Sequence, residues 1–182
     1  MSRDGRRDVD VAAFRSTMGA FATGVTVVTT VAHDELYGMT VNSFSSVSLD
    51  PPLVLICVNK SSRGHRLIRR SAVLSVNVLA AAQTDLARRF ADRDRPRGWQ
   101  ALAGVPFGWG ANGCPVIEGS AAHVDCKVRR IHAAGDHVIV VGAVIGMSIA
   151  PDAAPLLFHR GRYRVLADAE LNSPASPALT VR

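Results

Sequence analysis

Short segments rich in Val, Ile and Thr recur along most of this 182-residue chain, and turn residues separate them. About eight of these segments have the length and composition of β-strands, whereas about three stretches show helical spacing. The helical stretches do not alternate regularly with the strands, so a βαβ architecture with a parallel sheet is not expected. Closing short strands into a barrel removes exposed strand edges. We therefore predict one mainly β domain over residues 11–167, a small barrel with a few short helices.

The longest predicted strand indicates that a second copy of the chain covers part of the surface. It spans His137–Ile149 and is apolar on both faces, which a subunit interface would bury.

An amphipathic helix of about twelve residues is predicted after Asp10, because helical spacing relates Val11, Phe14, Met18 and Phe21. Further predicted strands are 25–31, 36–41, 53–59, 73–79, 116–118, 121–132, 156–159 and 162–166, and further predicted helices are 63–70 and 83–90.

The two ends of the chain have compositions unlike that of a packed domain. Residues 1–10 are polar, contain three arginines and lack the apolar core of a secretory signal, so we expect a flexible leader in a cytoplasmic protein. Residues 168–182 contain prolines and small residues, which predicts a disordered tail. No run of about 18 apolar residues is present, so we do not expect a membrane span.

The net charge of +6, from 21 Lys and Arg against 15 Asp and Glu, suits a protein that binds phosphorylated ligands or nucleic acid. Most of the basic residues are scattered, and the densest group is Lys60 with the four arginines of residues 63–70. No aromatic residues interleave with this group, and no helix-turn-helix or RNP pattern is present. We therefore prefer a solvated basic face to nucleic-acid binding.

The three cysteines and six histidines do not have the spacing of a metal site or a disulfide framework. Cys57 lies in the apolar run 53–58, so we interpret it as a packing residue rather than a catalytic thiol. No metal is predicted.

Three polar segments are candidates for chemistry. Lys60, Ser61 and Ser62 lie between a predicted strand and a predicted helix, where they form a phosphate site or where a serine simply caps the helix. Residues 42–48 contain Asn42 and four serines, which bind a polar heterocycle or only satisfy their own backbone. His137 follows a Gly-Asp turn and either faces a pocket or has a structural role. No P-loop and no G-x-G-x-x-G motif are present.

Six segments in the same order resemble the short flavin reductases of two-component flavin-dependent monooxygenases. They are FATGVTVVTT at 21–30, GMTVNSFSSVSLDPPLV at 38–54, KSS at 60–62, VNVL at 76–79, GDH at 135–137 and RGRY at 160–163. The resemblance extends from about Phe14 to Leu166. It implies a split β-barrel homodimer with flavin bound near the subunit interface.

The resemblance also implies roles for individual residues. The isoalloxazine ring and ribityl chain would contact Asn42, Ser43, Ser45 and Ser46, and the phosphate would contact Lys60, Ser61 and Ser62. Asn77 would lie beside the flavin, Arg89 and Phe90 near its distal end, and Arg162 and Tyr163 would help to close the site. His137 would face the nicotinamide, as a positioning group rather than an obligatory base.

The expected activity is NAD(P)H:flavin oxidoreduction, in which hydride passes from nicotinamide C4 to flavin N5. The reduced flavin, FMN or FAD, would then diffuse to a separate monooxygenase. NADH is the expected donor, and NADPH stays open. The 63–70 cluster holds a 2′-phosphate or an FAD pyrophosphate, or is solvated. Two other functions compete: a split-barrel protein that binds flavin without catalysis or retains it as an oxidase, and a basic nucleic-acid-binding protein.

Overall fold

The computed structural model describes residues 9–166 of the chain, which form three helices and twelve strands. The predicted leader, apart from Val9 and Asp10, and the predicted tail lie outside the described residues. The helices are α1 (Val11–Gly19), α2 (Arg63–Ser71) and α3 (Thr84–Ala91), with 3₁₀ turns at Ala81–Gln83 and Gly98–Leu102. The strands are β1 (Thr23–Gly24), β2 (Thr26–Ala32), β3 (Glu35–Val41), β4 (Ser45–Leu49), β5 (Pro52–Asn59), β6 (Val73–Val78), β7 (Phe107–Trp109), β8 (Pro115–Ile117), β9 (Ala122–Ala134), β10 (His137–Ile149), β11 (Leu157–His159) and β12 (Arg162–Arg164).

Seven of these strands form one antiparallel sheet in the order β3-β2-β6-β9-β10-β5-β4. Its centre is the long β9–β10 hairpin, which is paired from His137 and Ala134 at the turn to Ile149 and Ala122 at the far end. Gly135 has φ 58° in this turn, a conformation that glycine adopts without steric cost. The predicted mainly β fold with a few short helices is confirmed.

The core consists of two apolar clusters, because adjacent strand residues point to opposite faces of the sheet. Val28 belongs to the cluster that packs with Ile68 of α2. Val27 belongs to the cluster that packs with Phe90 of α3 and Leu102 of the second 3₁₀ turn. Thus α2 and α3 each cover a different part of the sheet.

Two apolar surfaces are exposed in the single chain. Helix α1 begins as predicted, with both carboxylate oxygens of Asp10 accepting N–H bonds from the first turn, but it ends at Gly19 and buries none of its residues. In β10, alternate residues are buried only in the first half, and Met147 and Ile149 are 76% and 74% exposed. The predicted burial of both faces of this strand therefore does not occur within one chain.

Among the helices of residues 9–166, none combines the length and the hydropathy needed to cross a membrane.

Candidate active site

Two adjoining cavities lie at the end of β3, and both are lined by Met39, Thr40 and Asn42. The first, here called the histidine cavity, has a volume of about 340 Å³ and also contains His137 and Ser62 in its wall. The second, here called the tyrosine cavity, has a volume of about 320 Å³. Each volume is at the lower end of the range for small-molecule sites, about 300–1,000 Å³. Because both cavities lie at the end of the same strand, two ligands bound side by side can occupy one cavity each.

The histidine cavity gathers four of the residues proposed from the sequence. Ser43 connects the loop after β3 to β5: its Oγ accepts a 3.0 Å bond from the N–H of Cys57 and donates to the carbonyl of the same residue. Asn42 is exposed beside it. The remaining two of the four are Ser62 and His137, which line the same cavity.

His137 is held at the rim of its cavity by its neighbour in the β9–β10 turn. The side chain is 45% exposed, and Nδ1 donates a 2.8 Å hydrogen bond to Oδ1 of Asp136. This hydrogen bond, together with the charge of the imidazole, lowers the pKa of the Asp136 carboxyl. The bond to Nδ1 leaves Nε2 as the ring nitrogen available to a ligand.

The tyrosine cavity contains two further predicted residues, Phe90 and Tyr163. The Tyr163 ring packs edge-on against Phe158, with a centroid distance of 5.6 Å, and burial raises the pKa of its hydroxyl. Phe90 is buried against Gly38, where a Cβ would overlap its ring. Removing such a ring costs about 3–5 kcal/mol, so the contribution of Phe90 to binding is inseparable from its role in the core.

The segment of Lys60, Ser61 and Ser62 connects β5 to α2 and is tightly bonded. Ser62 is the N-cap of α2, and its Oγ accepts the N–H of His65 at 3.1 Å. Both the N–H and the hydroxyl of Ser61 donate to Oδ1 of Asn59, at 2.8 Å and 2.6 Å. The helix-capping interpretation is therefore confirmed for Ser62.

Lys60 fastens this segment to the β9–β10 turn. Its N–H donates to the carbonyl of Asp136 and its Nζ to the carbonyl of Gly135. The N–H groups of Ser61 and Ser62 also donate to protein oxygens. The backbone donors of residues 60–62 are thus occupied, whereas the ammonium of Lys60 has three hydrogens and retains capacity for an anion. Lys60 lines a separate cavity of about 430 Å³.

The resemblance implies that Asn77 lies beside the flavin, but the structure places its side chain in the core. It has no exposed surface, so none of its atoms is accessible to a flavin. Its Nδ2 donates to the carbonyl of Val27 at 3.0 Å, and its Oδ1 accepts the N–H of Ile117 at 2.8 Å. The amide thus connects three strands inside the core, and we leave Asn77 out of the proposed site.

The other predicted residues line neither cavity. Arg89 donates to the carbonyls of Gln100 and Ala103, so it closes the end of the second 3₁₀ turn. Ser45 and Ser46 lie on the edge strand β4, and Arg162 is exposed on β12. Their proposed roles stay predictions from the family resemblance.

Several cavity residues were not singled out from the sequence, namely Met39, Thr40, Asn59 and Arg95. Cys57, interpreted from the sequence as a packing residue, is half-buried and also lines the histidine cavity. Side chains two positions apart on a strand point to the same face, so the place of Thr40, two residues before Asn42, indicated that both line the same cavity. Arg95 comes from the loop after α3, and nothing local in the sequence connects it to β3. Within residues 9–166, no three His, Cys, Asp or Glu side chains form a group that could hold a metal ion.

The family model for the flavin reductase-like domain matches residues 18–167. The chain belongs to the flavin reductase-like family. Among curated proteins, it is 41% identical over 169 residues to the reductase subunit of a flavin-dependent monooxygenase from Mycobacterium tuberculosis, covering 92% of this chain and 88% of the relative. The resemblance found in the sequence is thereby confirmed.

Two solved structures have closely similar folds. Nitrilotriacetate monooxygenase component B from Mycobacterium thermoresistibile has a TM-score of 0.86 and 39% identity, with 96% of both chains covered. An NADH:FAD oxidoreductase from Streptomyces globisporus, solved with NAD and FAD fragments, has a TM-score of 0.82 and 41% identity, covering 88% of this chain and 95% of that one.

Proposed function

We propose that the protein is a flavin reductase that transfers hydride from NADH to FMN or FAD as a diffusible substrate, with NADPH as an alternative donor. The observation that carries this proposal is the junction of two cavities at Asn42, with His137 on one side and Tyr163 on the other. Family membership and relatives that are named as NADH-dependent reductases support it. The released flavin would serve a partner monooxygenase.

The transfer needs little acid–base chemistry from the protein. Hydride moves with its two electrons from C4 of the dihydronicotinamide to N5 of the oxidised flavin, and one proton from solvent completes the reduction. The chain supplies position: the two rings must approach within about 3–3.5 Å. Asn42 and Thr40 supply polar contacts at the shared wall, while His137 Nε2 is available to the nicotinamide carboxamide.

A homodimer is part of the proposal. The exposed apolar side chains of α1 and of the second half of β10 include Phe14, Met18, Met147 and Ile149. Burying them stabilises by about 1.5–3 kcal/mol for each large side chain, which favours association over solvent exposure. A second copy packed on this surface would also complete the split barrel. The cytoplasmic location stays a prediction from the sequence.

The test is oxidation of NADH and of NADPH by the purified protein, followed by absorbance, with FMN, FAD or riboflavin added in turn. Rapid oxidation that depends on added flavin is the expected result. Tight flavin retention with slow NADH oxidation would favour a flavin-binding protein or an oxidase instead. Absence of turnover with every pair would refute the proposed activity.

A further inference from the structure

Five arginines surround one cleft that has no part in the hydride transfer proposed above. The cleft has a volume of about 400 Å³ and lies between β3, the first turn of α2 and the loop after α3. The cleft, here called the arginine cleft, is lined by five arginines, namely Arg63, Arg66, Arg93, Arg95 and Arg97.

The charge of the cleft is largely uncompensated. Among the described residues, Arg63 is the one arginine of the five that forms an ion pair, with Glu35. The two aspartates of the same loop, Asp92 and Asp94, do not line the cleft. Guanidinium groups crowded in this way repel one another, and a multiply charged anion relieves the repulsion. The cleft therefore has the electrostatics of a phosphate site.

Arg95 connects the cleft to the tyrosine cavity, because it lines both. Its guanidinium is held in place: Nε donates to the carbonyl of Gly38 at 3.0 Å, and Nη2 donates to the Tyr37 hydroxyl at 2.6 Å. The same group lies 4.9 Å from the centre of the Tyr37 ring. A ligand whose ring occupies the tyrosine cavity and whose chain passes Arg95 enters the cleft directly.

We propose that the arginine cleft binds the adenylate half of a dinucleotide substrate, with the phosphates on the guanidinium groups. The inference rests on the proposed flavin reductase function. It adds a physical reason for preferring substrates that carry an adenylate half. FAD and the nicotinamide dinucleotides carry an adenylate half, whereas FMN and riboflavin do not. Arginine suits this role because its planar fork pairs with phosphate oxygens in a bidentate manner.

The test variant is Arg93→Gln combined with Arg97→Gln. Both residues are exposed, and neither side chain donates a hydrogen bond to another described residue, so the fold does not depend on them. The matched control is Arg70→Gln, which removes one charge from the exposed end of α2, where Arg70 contacts His33 outside the cleft. KM is measured separately for FAD, FMN and NADH.

If the adenylate belongs to FAD, the ratio of the KM for FAD to the KM for FMN rises about tenfold in the double variant, the effect of losing about 1.4 kcal/mol of binding. If it belongs to the nicotinamide dinucleotide, the KM for NADH rises and the flavin ratio does not change. Either result supports the proposal. Unchanged values for all three substrates would overturn it.

A binding measurement separates this proposal from the proposed activity. ADP is titrated calorimetrically into the flavin-free wild-type protein, the double variant and Arg70→Gln. We expect ADP to bind the wild-type protein and the control, and to bind the double variant about tenfold more weakly. Equal ADP binding by all three proteins would refute the cleft assignment, even if flavin turnover is rapid. If no flavin turns over, the proposed function fails, and the ADP titration still tests the cleft.

Discussion

His137 and Asp136 form a hydrogen-bonded pair, Nδ1 to Oδ1 at 2.8 Å, at the turn between β9 and β10. The same turn is fastened to the end of β5 by the two bonds of Lys60. The imidazole therefore sits on a bonded junction of two strands and a loop rather than on a free hairpin tip. This arrangement explains how a half-exposed histidine can have a defined position beside the cavity.

The first prediction concerns His137→Ala. We expect the KM for NADH to rise about tenfold, as for the loss of one hydrogen bond to substrate and its packing, while the KM for flavin changes much less. Steady-state kinetics with each substrate varied in turn provides the measurement. His132→Ala, an exposed histidine of β9, is the control. An unchanged KM for NADH would contradict the positioning role.

The second prediction separates a structural amide from a binding amide. Asn77→Ala removes the side-chain hydrogen bonds to the carbonyl of Val27 and to the N–H of Ile117 in the core. We expect the free energy of unfolding in urea to fall by about 1–3 kcal/mol, the cost of leaving the buried N–H of Ile117 without a partner. Asn42→Ala, at an exposed cavity wall, should instead raise the KM for flavin with little change in stability. A stability loss below about 0.5 kcal/mol for Asn77→Ala would show that the core tolerates the change.

The third prediction concerns the three thiols. Cys57 lines the histidine cavity, whereas Cys114 and Cys126 have no exposed surface. Burial raises the pKa of Cys114 to about 11 and of Cys126 to about 12, so both stay protonated at pH 8. We expect a thiol reagent to modify Cys57 alone in the native protein, and all three cysteines after denaturation. Saturating flavin should slow the modification of Cys57, and Cys57→Ser is the control.

The same raised pKa values predict an alkaline loss of stability. The unfolded thiols ionise near pH 9, their ordinary pKa, and the folded ones do so only near pH 11 and 12. The unfolded state thus releases protons first, so the stabilising contribution is complete below pH 9 and decreases as the pH rises toward 11. Thermal unfolding followed from pH 8 to 11 measures this loss. A Cys114→Ala variant with the same alkaline slope as the wild type would argue against it.

The fifth prediction tests the dimer. Met147→Lys combined with Ile149→Lys places two charges on the exposed half of β10. We expect the wild-type protein to sediment as a dimer and the variant as a monomer, because charged side chains are not accommodated in an apolar interface. Ala82→Lys, on the surface of the first 3₁₀ turn, is the control. A wild-type monomer at micromolar concentration would refute the homodimer.

Local sequence patterns predicted most of the elements, because short-range preferences dominate there. His137–Ile149 is a strand with the bounds expected from its apolar run, and Asp10 caps α1 as its side chain and position indicated. Helix α1 is shorter than the spacing of its apolar residues indicated. It ends at Gly19, with Ala20 as the C-cap, and its apolar side chains are not buried in a core. The Ser-rich segment divides into a loop around Asn42 and an edge strand from Ser45.

The mainly β character, the family and the positions of the motifs follow from the sequence, since they depend on residues close together in the chain. The packing of the folded chain sets which motif residues meet. It brought Asn42, Ser62 and His137 to one cavity, moved Asn77 into the core and placed Arg95 beside β3, more than fifty residues away in sequence. The physical reason is that strand order and loop packing depend on long-range burial and hydrogen bonding, which local periodicity does not encode.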